Sequence, residues 1–171
     1  MVPTDSWYIE RTVWLVAGFV LLPGTTLALL VHPLFVLLVI ATGVASVSVA
    51  FTGFCIVGNV LLRLGFKGKL NAPSATPPKW YRMQTDKWYL ERRIYAAVGV
   101  NITIASILSL VFSPLWLAFT GFVGVAMVWF AATGFCIMAN GLYWLGFEPR
   151  LAPLARCATA ATPDTGHPAR P

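Results

Sequence analysis

Two thiols occupy matching places in this chain. Cys55 and Cys136 each sit inside the same five residues, Thr52-Gly53-Phe54-Cys55-Ile56 and Thr133-Gly134-Phe135-Cys136-Ile137, 81 residues apart. A thiolate is a nucleophile and a soft ligand, so a duplicated Cys could handle a sulfur species, a soft metal or a redox change. Around each thiol, Thr, Cys and Asn recur at i, i+3 and i+7, as Thr52, Cys55 and Asn59 and again as Thr133, Cys136 and Asn140. A continuous helix would place each trio on one face. If the two faces meet on a twofold axis, two thiols, two hydroxyls and two amides line one small polar site. The alternative is packing: small and weakly polar side chains are common where membrane helices approach closely. A thiol in apolar surroundings is inert. The one nearby cation of the first copy, Arg63, is matched by Trp144 in the second, so activation is not repeated.

No other constellation offers chemistry. His32 stands at a turn and His167 in the carboxyl-terminal tail, so no histidine pair is placed to clamp a haem. No Ser/His/Asp set, phosphate loop, metal-spaced cluster or paired carboxylate can be read. The expectation is a protein with no catalytic residue, no metal and no cofactor, and not an enzyme. The apolar runs carry no Asp, Glu, Lys or Arg between their flanks, and so lack the usual marks of a proton relay or ion path. Asn101, Thr103, Ser106 and Ser109 make the third run more polar than the first; Gly99, Thr103 and Ser106 share a face that could bond across to the fourth helix.

The elements that position these residues follow from composition. Of 171 residues, 58% are hydrophobic and 11% charged, against about 25% charged in a soluble domain. Mean hydropathy is +0.76. The chain belongs in a bilayer. Its net charge of +6 lies between long apolar runs rather than on one soluble face, which points to anionic lipid and away from nucleic acid. The first run, Thr12 to Val31, is long enough to span. The second, Leu34 to Leu62, holds 29 residues, on the order of 43 Å as helix, and must tilt, break or project, with Gly53 or Gly58 as the place. Ile94 to Phe112 and Leu115 to about Leu145 repeat the pair. The turns are His32-Pro33 and Ser113-Pro114.

The 81-residue offset also matches Asp5 with Asp86, Trp7 with Trp88, Glu10-Arg11 with Glu91-Arg92, Gly18 with Gly99, Asn59 with Asn140 and Leu64-Gly65-Phe66 with Leu145-Gly146-Phe147. One unit is written twice. The division is a first membrane hairpin at 1–70, a Pro-rich interfacial linker at 71–85, a second hairpin at 86–151 and a mobile tail at 152–171. The expected fold is all-α and integral to the membrane: four transmembrane helices, as two tandem hairpins in a pseudo-twofold bundle. All 12 Lys and Arg fall on one side, and neither turn carries any. That bias predicts amino and carboxyl termini in the cytoplasm and two repeats of like orientation. Trp80, Arg82, Trp88, Arg92 and Arg93 interleave rings with cations, the composition of an interfacial belt, and could contact lipid headgroups or a protein partner.

Each unit has an acidic-Arg start (Glu10-Arg11; Glu91-Arg92), a Gly in its first helix (Gly18; Gly99), a short turn, the TGFC segment, and a Leu-Gly end (Leu64-Gly65; Leu145-Gly146). In this it resembles the YgaP-type inner-membrane hairpin domain, found alone or fused to a rhodanese sulfurtransferase. The resemblance covers Asp5 to Leu70 and Asp86 to Leu151. In that family the Cys is typically followed by Pro, where Ile56 and Ile137 stand here. The resemblance implies a bacterial inner-membrane location, a sulfur-linked context and hairpins that pair, with duplication fusing the pair into one chain. Two functions are therefore expected. One is a non-enzymatic scaffold or accessory subunit of a membrane complex, holding a membrane or cytoplasmic partner and open to oligomerisation. The other is a passage or binding site for a small sulfur-containing species at the paired TGFC segments, served by a separate sulfurtransferase.

Overall fold

The computed structural model describes residues 7–70 and 79–151. The start of the chain, most of the linker and the tail with Cys157 and His167 lie outside the described residues. Six α-helices follow in order: α1 Ile9–Leu30, α2 Val36–Thr52, α3 Ile56–Arg63, α4 Leu90–Val111, α5 Leu115–Thr133 and α6 Ile137–Trp144. Four membrane-length helical segments, Ile9–Leu30, Pro33–Thr52, Leu90–Val111 and Leu115–Thr133, are long and apolar enough to cross a bilayer. Their outer faces carry bare hydrocarbon, such as Phe19 at 59% and Phe122 at 66% exposure, as lipid contact requires. At the first turn, His32 Nδ1 accepts from the Leu34 amide at 3.2 Å. Pro33 then opens a 3-10 turn into α2.

The two overlong runs do not continue as single helices. Each stops at a glycine of the repeated motif, Gly53 at φ 71° and Gly134 at φ 70°. The left-handed conformation there is open to glycine and strained for other residues, and each glycine N–H closes the last helical turn onto Val49 or Phe130. After a three-residue break, Gly53 to Cys55 and Gly134 to Cys136, α3 and α6 start afresh. The first and third helices, for their part, begin at Ile9 and Leu90 rather than Thr12 and Ile94. They thereby take the Glu-Arg pairs into their first turns.

The most extensive packing is between repeats, α1 on α5 and α2 on α4, rather than between the two helices of one repeat. Glycines set these crossings. A Cβ added at Gly18 would lie 2.9 Å from the Gly124 carbonyl oxygen, and one at Gly99 would lie 2.7 Å from that of Gly43. The same two glycines thus face each other at both crossings, where backbones approach as small residues permit. The expected bonds from Thr103 and Ser106 to the fourth helix are absent: Thr103 donates to Gly99 O and Ser106 to Ile102 O, both within α4. Thr103 faces Gly43 of α2 instead. A hydroxyl in a helix satisfies itself most cheaply on the carbonyl one turn back.

Candidate functional site

The chemistry-bearing residues gather at the end of the bundle where α1 and α4 begin and α2 and α5 end. A helix that stops in a membrane leaves carbonyls without partners. Here the repeated arginines reach them. Arg11 Nε donates to Ala131 O at 2.6 Å and its Nη2 to Ala132 O at 3.1 Å, at the end of α5. Arg92 Nε donates to Ala50 O at the end of α2, and Nη1 to Thr85 O at 3.0 Å. Each arginine therefore caps a helix of the other repeat. Each is also stacked on its own repeat's tryptophan, Arg11 at 4.1 Å from the Trp7 ring and Arg92 at 4.0 Å from that of Trp88. Arg92, expected among the headgroup or partner contacts, is only 6% exposed. It turns inward because a helix end offers a guanidinium fixed acceptors.

The paired glutamates work within their own repeats. Glu10, 1% exposed, accepts from Lys69 N at 3.1 Å, Leu70 N at 2.6 Å and Tyr81 Oη at 3.0 Å. Glu91 accepts from Arg150 N at 3.0 Å and Leu151 N at 2.7 Å. Each carboxylate thus ties the loop after the short helix to the start of the long one. Burial, reinforced by the Glu10 charge, raises the Tyr81 hydroxyl pKa well above its ordinary value.

The helix break divides the TGFC trio. Thr52 ends α2, its hydroxyl donating to Ser48 O at 2.7 Å and accepting from Phe54 N at 3.2 Å. Cys55 caps α3, its sulfur accepting from Gly58 N at 3.3 Å. Asn59 lies one turn into α3. The three do not form one face of a continuous helix, contrary to the spacing argument, because Gly53 resets the helical phase. Asn59 instead clamps the linker: its amide donates to Cys55 O at 2.7 Å and Tyr81 O at 3.0 Å, and its Oδ1 accepts from Tyr81 N at 2.8 Å. Met83 N adds a bond to Gly53 O at 2.8 Å, and Phe54 bridges Arg82. The segment Trp80–Met83 so covers the first motif. Cys55 is buried, and that burial raises its thiol pKa, with the Glu10 charge adding to the shift and the Gly58 and Val57 amides opposing it.

In the second repeat the local geometry recurs, with no covering segment among the described residues. Thr133 bonds Trp129 O and Phe135 N, Cys136 Sγ accepts from Ala139 N at 3.5 Å, and Asn140 donates to Cys136 O at 2.8 Å. Asn140 is exposed and Cys136 half-buried. No described residue of α6 is buried, against Gly58, Asn59 and Leu61 in α3. Sequence differences explain part of this. A Cβ at Gly58 would stand 2.6 Å from the Tyr81 ring and one at Gly68 2.7 Å from it; the counterparts are Ala139 and Pro149. Among the described residues the Tyr81 seat therefore belongs to the first repeat alone.

Of the remaining expected contacts, Trp80, Arg82 and Trp88 are exposed and Arg93 is partly buried against the Phe147 ring at 3.9 Å. α3 packs on α1 and α6 on α4, so each thiol is held beside the first helix of its own repeat. Among the described residues no group of three or more His, Cys, Asp and Glu is placed to hold a metal. Glu10 and Tyr81 escaped the sequence reading as site-builders; the glycines at 58 and 68, absent from the second repeat, were the available signal. Comparison of the chain with family models, curated proteins and solved structures found no match.

Proposed function

We propose that this protein is a non-enzymatic scaffold or accessory subunit that holds a protein partner against the open end of its second repeat. The observation behind this is the bare short helix: Ile137 is 79% exposed, Trp144 88% and Leu145 67%, whereas the sister helix α3 carries its own chain as cover. Exposed apolar and aromatic side chains clustered beside cations have the composition of a binding hot spot. The chain sits in a bacterial inner membrane with this end in the cytoplasm, as the one-sided Lys and Arg distribution favours. The resemblance to YgaP-type hairpins agrees with that location.

A photo-crosslinking residue placed at Trp144 should trap one partner in native membranes, in stoichiometric amount, and one at Trp80 should trap it far less. Purification in mild detergent as a clean monomer or homodimer, with no adduct at Trp144, would sink the proposal. The sulfur-passage reading has less behind it. Cys55 is buried under the linker, and the Thr103, Ser106 and Thr120 hydroxyls are spent on their own helices. Thiosulfate flux in proteoliposomes that disappears in Cys55→Ala/Cys136→Ala would revive it.

A further inference from the structure

The first repeat also carries a crevice that neither the thiols nor the short helix explains. It measures about 610 Å³ and is lined by Trp7, Tyr8, Leu64, Gly65, Phe66, Lys67 and Lys69. One hydrogen bond ties its rim to the start of the spanning helix α1: Ile9 N donates to Lys67 O at 3.1 Å. The crevice therefore opens where hydrocarbon gives way to headgroups. Leu64, 70% exposed, offers an apolar wall, and Trp7, 51% exposed, an interfacial ring.

Its charge is positive, and no described residue neutralises it. Lys67 and Lys69 are both exposed. Lys69 Nζ rests 4.4 Å from the Tyr8 ring centroid, and neither lysine forms an ion pair among the described residues. The nearby carboxylate, Glu10, is buried beneath and committed to the Lys69 and Leu70 amides and the Tyr81 hydroxyl. The second repeat shows what a neutralised version looks like. There Glu148 replaces Lys67, and Arg150, in the place of Lys69, is held by Asp86 at 2.8 Å and by Gln84. Among the described residues, the open cationic crevice belongs to the first repeat alone.

We infer that this crevice binds the phosphate of an anionic phospholipid headgroup, with Lys67 and Lys69 on the phosphate oxygens and the glycerol end of the lipid along Leu64 and Trp7. Two ammonium groups at the headgroup level attract anionic lipid in preference to zwitterionic lipid. The ligand comes from the membrane rather than from solution because the apolar wall would otherwise face water.

The test uses the full chain in nanodiscs of equimolar phosphatidylglycerol and phosphatidylcholine, with tightly held lipid counted by native mass spectrometry after detergent release. Wild type should retain phosphatidylglycerol, and Lys67→Gln/Lys69→Gln should lose that preference on the order of tenfold. Lys79→Gln/Lys87→Gln removes equal charge at two exposed positions elsewhere and should keep it. Equal loss in both double variants, or no loss in either, would overturn the site. Asp5, the sequence counterpart of Asp86, is outside the described residues. Asp5→Asn should leave retention unchanged or raised, and a fall would count against direct lysine contact. Displacement of the lipid by millimolar inorganic phosphate would assign the crevice to a soluble anion and overturn the membrane source.

Discussion

Asn59 and Asn140 hold the same place in the two repeats, yet one is buried with three hydrogen bonds and the other is exposed with one. Inside the membrane the copies are near equivalents, with glycine crossings and arginine caps exchanged both ways. At the cap end they part. The first repeat is sealed by Trp80–Met83, and among the described residues nothing seals the second. A duplicated motif therefore has one local geometry and two roles: in the first copy it is a seat for the chain's own linker, and in the second it is surface. The TGFC residues belong to backbone termination before they belong to any chemistry, since the glycine ends a helix, the threonine and cysteine satisfy the amides that follow, and the asparagine reaches whatever lies on top.

The comparison is most severely strained by removing the buried carboxylates. Glu10→Ala strips partners from two amides and the Tyr81 hydroxyl, and should cost roughly 3–5 kcal/mol, with Glu91→Ala costing about 1 kcal/mol less because it lacks the tyrosine. Thermal unfolding in nanodiscs reads the difference. Equal losses would mean the linker contributes little.

Asn59→Ala should follow, at about 2–3 kcal/mol, while Asn140→Ala stays within about 0.5 kcal/mol of wild type. A matching loss at Asn140 would show that a partner or another part of the chain covers it. A smaller contrast is steric. Gly58→Ala drives a methyl into the Tyr81 ring and should cost about 1–3 kcal/mol, against no more than about 1 kcal/mol for Ala139→Gly.

The finest distinction is kinetic. In a Cys157→Ser background, a small neutral maleimide should label Cys136 about tenfold faster than Cys55 in intact membranes, because only Cys136 is partly open. The raised Cys55 pKa shrinks its thiolate fraction near neutrality, so its rate should keep climbing at higher pH, beyond the ordinary thiol range. Equal rates, or rapid disulfide formation between the two thiols, would return the motif to the solute hypothesis.

The amino-acid sequence by itself determined the duplication, the four spanning segments, the turns at His32 and Ser113, and the need for the second run to break. These are local matters: hydropathy over about 20 residues, proline at a turn, glycine where a left-handed residue is required. It also marked Glu10-Arg11 and Glu91-Arg92 as special without showing why. Only the tertiary structure decided that each arginine caps the other repeat's helix, that each glutamate holds its own repeat's loop, and that the linker lies on one motif and not its twin. Such pairings join groups as far apart as Arg11 and Ala131. Periodicity is blind to them, because a carbonyl freed by a helix end is the same acceptor whichever residue supplies it, and three-dimensional proximity alone selects the donor.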